Sequence, residues 1–149
     1  YILIDCPAGI EQGFKTAIAA ADTAIVVTMP EISAVRDADK IIGELSRAEK
    51  EDIKLIVNRI RPQMVESGDM LDMNDINDIL SIDCIGQVPD DEMVVTSTNK
   101  GEPCITMEHS LAGQAYRNIV GRICGEDIPF MEFPKEGFFQ RLKRRVFGA

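Results

Sequence analysis

The sequence predicts an α/β fold, a parallel sheet flanked by helices, and three observations predict it. Four short apolar runs have the length of buried strands: Tyr1–Asp5, Ala24–Thr28, Lys54–Asn58 and Cys84–Val88. These runs are mostly continuous rather than alternating, as expected where both faces of a sheet are covered. Helical patterns separate the runs, and such alternation at these lengths is typical of a parallel sheet.

The helices between the predicted strands follow from apolar spacing and capping residues. Between Ser33 and Lys50, apolar residues recur three and four positions apart, which indicates a helix with one buried face. Ser110 is a suitable N-cap for the last helix of the domain. The predicted helices are Glu11–Ala21, Ser33–Lys50, Asp75–Leu80, Glu92–Thr98 and Ser110–Cys124.

The chain divides into one domain and two shorter segments. Residues 1–125 are predicted to form the domain, because 149 residues can bury one sizeable core. Residues 126–136 combine prolines with mixed charge and predict a linker, and residues 137–149 predict an amphipathic helix. Since the chain begins without Met, inside an apolar strand, we expect it to be the C-terminal part of a longer protein.

Charge is distributed unevenly along the chain. The net charge is -9, but Lys135–Ala149 contributes five basic residues and one acid, so the remainder carries -13. An acidic body disfavours nucleic acid as a partner, whereas a basic tail favours an anionic surface. Four widely separated cysteines argue against a zinc site or a disulfide scaffold. A reduced, cytoplasmic setting is expected.

The opening stretch predicts a phosphate-sensing segment. Asp5 ends an apolar strand, at the sheet edge where ligands bind in open α/β folds. A carboxylate there is suited to holding Mg²⁺ through water beside nucleotide phosphates. Pro7, Ala8 and Gly9 follow as a tight turn, and a glycine lets a backbone N–H approach a phosphate closely. Alternatively, Asp5 only ends the strand and caps this turn.

The tail predicts a membrane-surface helix. On a helical projection, Phe138, Phe139, Leu142 and Val146 fall within about 100° of one another. Basic residues flank this stripe, as in helices that lie in the membrane interface. The alternative is a terminal helix that packs on the protein's own acidic body. The predicted membrane residues are Phe138, Phe139, Arg141, Leu142, Lys143, Arg144, Arg145, Val146 and Phe147.

Several longer strings resemble one family of nucleotide-dependent switch proteins. The segments are D-C-P-A-G-I-E from Asp5, T-M-P-E-I-S-A-V-R-D-A-D-K-I from Thr28, L-I-V-N-R from Leu55, S-G-D-M-L from Ser67, G-Q-V-P-D-D from Gly86 and N-K-G-E-P from Asn99. In this order, together with the basic tail, they resemble the MinD family of deviant-Walker ATPases, which place the bacterial division site. The similarity covers essentially the whole chain.

The resemblance implies ATP and Mg²⁺ as ligands and assigns roles to individual residues. Asp5, Pro7, Ala8 and Gly9 match the family's catalytic switch segment, with Asp5 at the metal. The implied nucleotide-binding residues are Asn58, Arg59, Pro89, Asp90 and Asp91. From the residues alone, a turn-forming role for Asn58, before Arg59 and Pro62, is favoured. The resemblance instead implies that its side-chain amide, which can donate and accept, contacts adenine.

The resemblance also implies an ATP-dependent homodimer on the inner face of the cell membrane, with MinC and MinE as partners. The implied dimer and partner residues are Glu31, Ser33, Arg36, Asp37 and Asp39. A structural role is also open for them, since acids complement a helix N-terminus and Ser33 could cap the helix.

One departure from the family pattern matters. The family's phosphate loop, K-G-G-x-G-K-[ST], does not occur in these residues, and that loop cradles the phosphates. This chain by itself is therefore expected neither to bind ATP tightly nor to hydrolyse it. The open alternatives are a related ATPase of chromosome partition or flagellar placement, and a non-enzymatic module that binds a membrane or a partner.

Overall fold

A computed structural model describes residues 1–7 and 9–133 of the chain. It contains a three-stranded parallel sheet in the order β1-β2-β3 with helices on both faces, which confirms the predicted fold class. The strands are β1 (Ala24–Thr28), β2 (Ile53–Ile60) and β3 (Asp83–Pro89). The helices are α1 (Gln12–Ala20), α2 (Ile32–Arg47), α3 (Pro62–Ser67), α4 (Met73–Leu80), α5 (Glu92–Lys100) and α6 (Leu111–Ile123), with a 3₁₀ turn at Cys104–Thr106.

The central strand β2 is buried on both of its faces, as its continuous apolar run predicts. Leu55 and Val57 face one cluster, which includes Val35 of α2 and Ile76 of α4. Ile56 faces a second cluster, built with the buried face of α6. The strand therefore joins two helical layers into one domain.

The prediction of a strand at Tyr1–Asp5 is wrong for this structure. These residues have no regular secondary structure, and the side chain of Tyr1 is 96% exposed. An apolar run becomes a strand only where a neighbouring strand accepts its backbone hydrogen bonds, and none of the described strands pairs with it. Strand β1 is also covered on one face only, because Val27 is 59% exposed.

Two helices, α2 and α4, begin before the residues predicted for them. Helix α2 begins at Ile32, so Ser33 lies in its first turn and does not cap it; Glu31 occupies that position. Helix α4 begins earlier than predicted because Asp72 accepts hydrogen bonds from the N–H groups of Asn74 and Asp75, forming a capping box. Ser110 caps α6 as predicted, accepting from the Gly113 N–H at 2.9 Å.

Helix α3 is absent from the sequence prediction, although two local signals mark its ends. Pro62 stands at the first helical position, and Gly68 closes the helix with a positive φ of 78°. Proline at the start and glycine past the end are a recognised pair of boundary signals. The six-residue helix is too short to show clear apolar periodicity.

Replacing Gly86 with Ala is expected to destabilise the fold by about 1–2 kcal/mol. A Cβ at this position in β3 would overlap the side chain of Ile119, which is buried in the α6 cluster. The matched control is Gly43→Ala in α2, where a Cβ would meet nothing within 4 Å. Because alanine favours a helix more than glycine does, this variant should raise the free energy of unfolding by about 0.5–1 kcal/mol. Urea unfolding measures the free energy of unfolding of both variants. An equal change in this free energy in the two variants would contradict the predicted overlap.

Candidate functional site

An open cleft runs along β1 and reaches the carboxyl ends of β1 and β2. Its volume is about 1230 Å³, and its lining includes Pro7, Gly9, Thr28, Met29 and Asn58. The structure therefore brings two residues of the predicted switch segment together with the predicted adenine contact. The position is the one at which ligands bind to open parallel sheets.

Gly9 has the backbone geometry that a close approach to a ligand requires. Its φ is 90°, in the region that favours glycine. A Cβ built on Gly9 would meet no atom within 4 Å, so the backbone faces open space. Asp5 is exposed and lies one residue before Cys6, which lines the same cleft. Ala8 lies outside the described residues.

The amide of Asn58 is partly used inside the protein. Its side-chain oxygen accepts a hydrogen bond from the backbone N–H of Arg59 at 2.9 Å. Arg59 has a positive φ of 60°, so the chain turns sharply here although β2 continues to Ile60. The NH₂ group of the same amide carries two donors, which is the chemistry a base nitrogen or carbonyl needs. The turn-forming role and the ligand-binding role are therefore compatible at Asn58.

Two arginines and Asp90 tie the ends of β2 and β3 together. The Asp90 carboxylate accepts from Nε of Arg61 at 2.6 Å and lies 3.8 Å from Nε of Arg59. The Asp90 N–H also donates to the carbonyl of Ile60 at 2.9 Å. Both arginines are more than half exposed, so these ion pairs contribute at most about 1 kcal/mol each. The sequence did not point to Arg61, because its partner Asp90 lies 29 positions away in the chain, just after β3.

Asp91 joins the N-termini of two helices. Its carboxylate accepts from the Met93 N–H of α5, and also from the Ser110 hydroxyl and the Ala112 N–H of α6, at 2.8–3.0 Å. Partial burial raises the pKa of Asp91, but the hydrogen bonds from Ala112, Met93 and Ser110 together outweigh it, so this pKa lies below its ordinary value. In this structure the Asp91 carboxylate therefore caps helices.

The predicted partner residues lie at the start of α2. Glu31, Ser33, Arg36, Asp37 and Asp39 are all exposed, while Val35 and Ala38 of the same helix are buried in the core. Asp37 and Asp39 also line the cleft along β1. We call these five residues the partner surface. Asp37 pairs with Lys40 at 2.8 Å, with both side chains about three-quarters exposed, so this pair adds little stability. Ile32, next to Glu31 and Ser33 in sequence, is 59% exposed and adds an apolar side chain to this charged region.

The donor chemistry near Asp5 fits a magnesium–nucleotide complex. Within residues 1–7 and 9–133, no group of three or more His, Cys, Asp or Glu side chains is placed to hold a metal ion. Mg²⁺ in nucleotide sites needs only one or two carboxylates, because phosphate oxygens and water complete its shell. Asp5 would hold Mg²⁺ through water in such a complex, and the ion would neutralise phosphate charge.

The predicted membrane helix, residues 137–149, lies outside the described residues. The described part of the predicted linker, residues 126–133, has no regular secondary structure. In the part of the chain that the structure covers, no helix is long and apolar enough to cross a bilayer.

Comparisons with known proteins place the chain in one family. No protein-family model matches the chain. A septum site-determining protein MinD of Synechocystis sp. is 50% identical over 152 residues, covering 100% of this chain and 57% of that protein. The chain thus spans about half the length of the curated relatives it matches.

Solved structures agree with this relationship. The MinC:MinD cell division protein complex of Aquifex aeolicus matches with a TM-score of 0.86 and 46% identity, over 90% of this chain and 55% of that one. MinD of Pyrococcus horikoshii complexed with Mg-ADP matches with a TM-score of 0.68 and 26% identity, over 80% of this chain and 48% of that one. Sequence and fold together show that the chain belongs to the MinD family.

Proposed function

We propose that the complete protein carrying this sequence is an ATP-dependent regulator of division-site placement that cycles on and off the inner membrane. The observation that carries the proposal is the cleft along β1. It places Pro7 and Gly9 of the switch segment in one space with Asn58. A nucleotide bound there would contact a phosphate-sensing turn and a base-recognising amide at the same time.

In this proposal, the switch segment responds to the γ-phosphate. Gly9 offers a backbone N–H in open space, and Asp5 holds Mg²⁺ through water. Mg²⁺ supplies charge neutralisation of the phosphates when it is bound. The Mg-ADP complex of the Pyrococcus horikoshii relative supports nucleotide and metal as ligands. Loss of the γ-phosphate would release the segment, as in other nucleotide switches.

MinC is the proposed partner, and the partner surface on α2 is its proposed docking site. The Aquifex aeolicus structure, a MinC:MinD complex, supports MinC as a partner for this family. The charged side chains of the surface, together with exposed Ile32, suit a transient protein contact. We propose the same helix for dimer contacts and for MinE, following the family resemblance.

The tail energetics favour a dimer as the membrane-bound form. Each basic residue near an anionic leaflet contributes about 1 kcal/mol, and each well-buried apolar side chain about 1.5–3 kcal/mol. Ordering costs about 1 kcal/mol or more for each residue of the tail, so one tail binds weakly. Two tails on one dimer gain about 10²–10⁴-fold through effective concentration, so dimerisation would control membrane binding.

Vesicle sedimentation of the complete protein tests this proposal. With vesicles of phosphatidylglycerol and phosphatidylethanolamine in equal parts, we expect dimers and sedimentation with Mg-ATP, and neither with ADP or without nucleotide. Light scattering reports the dimer, and added MinC should sediment only with the ATP-bound protein. Equal vesicle binding with and without nucleotide contradicts the proposal and supports a non-enzymatic membrane module. Nucleotide-dependent binding to DNA instead of vesicles supports a partition ATPase.

A further inference from the structure

Residues 126–133, here called the strap, are fastened to the domain by Arg122 of α6. The guanidinium of Arg122 donates to the carbonyl oxygens of Ile128 and Pro129, both at 2.9 Å. It also donates to the carbonyl oxygen of Ile85 in β3 at 2.8 Å. The same group stands 4.3 Å from the centroid of the Phe130 ring. One side chain thus bridges the sheet and the strap through three charge-assisted hydrogen bonds and a cation–π contact.

Apolar contacts continue this attachment to the end of the strap. A Cβ on Gly121 would overlap the side chain of Ile128, so the strap lies directly against α6 at that point. Met131 packs on the α6 cluster, whereas Phe133 packs on the cluster of the opposite sheet face. The strap therefore passes from one face of the sheet to the other beside β3, the edge strand of the described sheet.

The end of the strap lies near the partner surface. Phe133 lines a cavity of about 720 Å³ together with Pro30, Val57, Leu71 and Gln87. Pro30 is the residue before Glu31 of the partner surface, and its carbonyl accepts a hydrogen bond from the Leu71 N–H at 3.2 Å. Phe133, the last described residue, thus lies on the α2 and α4 side of the domain, across the sheet from α6, where the strap begins.

We propose that Arg122 is a positioning residue for membrane attachment: it holds the strap so that the tail starts at Phe133 instead of at the end of α6. This inference rests on the proposed function. With the strap held, only the three residues 134–136 separate the anchored chain from the predicted membrane segment, residues 137–149. With the strap released, the twelve residues 125–136 separate the domain from that segment. Effective concentration falls roughly as the −3/2 power of tether length, so release weakens two-tail binding about three- to tenfold.

Two variants loosen the strap, and one matched control does not. Arg122→Gln removes the guanidinium fork, and Phe130→Ala removes only the stacked ring, which is 43% exposed and therefore not needed for the core. The control is Arg117→Gln on the same helix, with the same charge change; Arg117 contacts Ile105 and Gln114 and not the strap. Arg122→Lys tests rescue, and partial rescue is expected because an ammonium keeps charge without the planar fork.

Limited proteolysis of the complete native protein tests the clamp directly. Endoproteinase Glu-C cleaves after glutamate, and mass spectrometry identifies cleavage after Glu132, a strap residue that every variant keeps; cleavage there requires local opening of the strap. We expect about tenfold faster cleavage there in Arg122→Gln, a smaller increase in Phe130→Ala, and no change in Arg117→Gln. Unchanged cleavage in both strap variants overturns the clamp.

Vesicle binding with Mg-ATP tests the positioning role. We expect Arg122→Gln to raise the apparent Kd about three- to tenfold. A nine-residue Gly-Ser insertion after Phe133 in the otherwise unchanged protein should reproduce this loss, because it lengthens the tether from three residues to about twelve without touching the clamp. Unchanged vesicle affinity in both proteins overturns the positioning role. If the unaltered protein fails to bind vesicles, the proposed function fails and the positioning role with it, while proteolysis still decides the clamp.

Discussion

Replacing Asp5 with Asn in the complete protein is expected to slow ATP hydrolysis about a hundredfold, without unfolding the protein. Asp5 is exposed and lies in a segment without helix or strand, so the change removes no core contact. The amide has no net charge and attracts hydrated Mg²⁺ less strongly than a carboxylate does. Steady-state phosphate release measures the effect, and kcat should fall more than KM rises.

Asp78→Asn is the matched control for this experiment. Asp78 is an exposed carboxylate on α4, and neither it nor its neighbours in sequence line the cleft, whereas Asp5 stands between cleft-lining Ile4 and Cys6. The control variant therefore changes the net charge equally and should hydrolyse ATP at the unaltered rate. A normal rate in Asp5→Asn contradicts the metal role and favours the alternative in which Asp5 only caps a turn. If the rate of ATP hydrolysis falls equally in Asp5→Asn and Asp78→Asn, the effect is due to net charge.

Replacing Asp91 with Ala is expected to lower the free energy of unfolding by about 2–4 kcal/mol, because one carboxylate caps two helices. The variant leaves the Met93 and Ala112 N–H groups and the Ser110 hydroxyl without this acceptor. In Asp91→Asn, the free energy of unfolding should fall by about half as much. The side-chain amide has a single oxygen, which can accept hydrogen bonds from only one of the two helices. Urea unfolding of the complete protein measures both variants.

The cost of Asp91→Ala should depend on pH in a defined direction. Because hydrogen bonds hold the pKa of Asp91 below its ordinary value, its carboxylate contributes stability above its unfolded pKa, about 3.9. This contribution disappears as the pH falls through the lower, folded pKa. The matched control is Asp90→Asn, which removes only exposed ion pairs and should cost under about 1 kcal/mol. If the difference in free energy of unfolding between the native protein and Asp91→Ala does not change with pH, the carboxylate of Asp91 is not the group that caps the two helices.

The sequence by itself determined the fold class and the elements whose signals are local. Strand β1 occupies the predicted residues, Ala24–Thr28, and the apolar run of β2 is buried on both faces as predicted. Ser110 caps α6 because a hydroxyl reaches the third N–H of its own helix. Such features are predictable because periodicity and capping act within one or two turns of the chain. Of the residues that the family motifs assign to the nucleotide, Pro7, Gly9 and Asn58 line the cleft, whereas Asp5, Arg59, Pro89, Asp90 and Asp91 do not.

Only the tertiary structure decided the features that depend on distant partners. The Asp91 carboxylate meets Ser110 across 19 positions of the sequence, and Arg122 meets Ile85 across 37. Tyr1–Asp5 has a strand-like sequence but no strand partner among the described residues. Local sequence patterns indicate which face of a helix or strand is apolar, but they do not indicate which other element packs against that face. Hydrogen bonds between elements, and a strand's pairing, therefore become visible only once the packing is known.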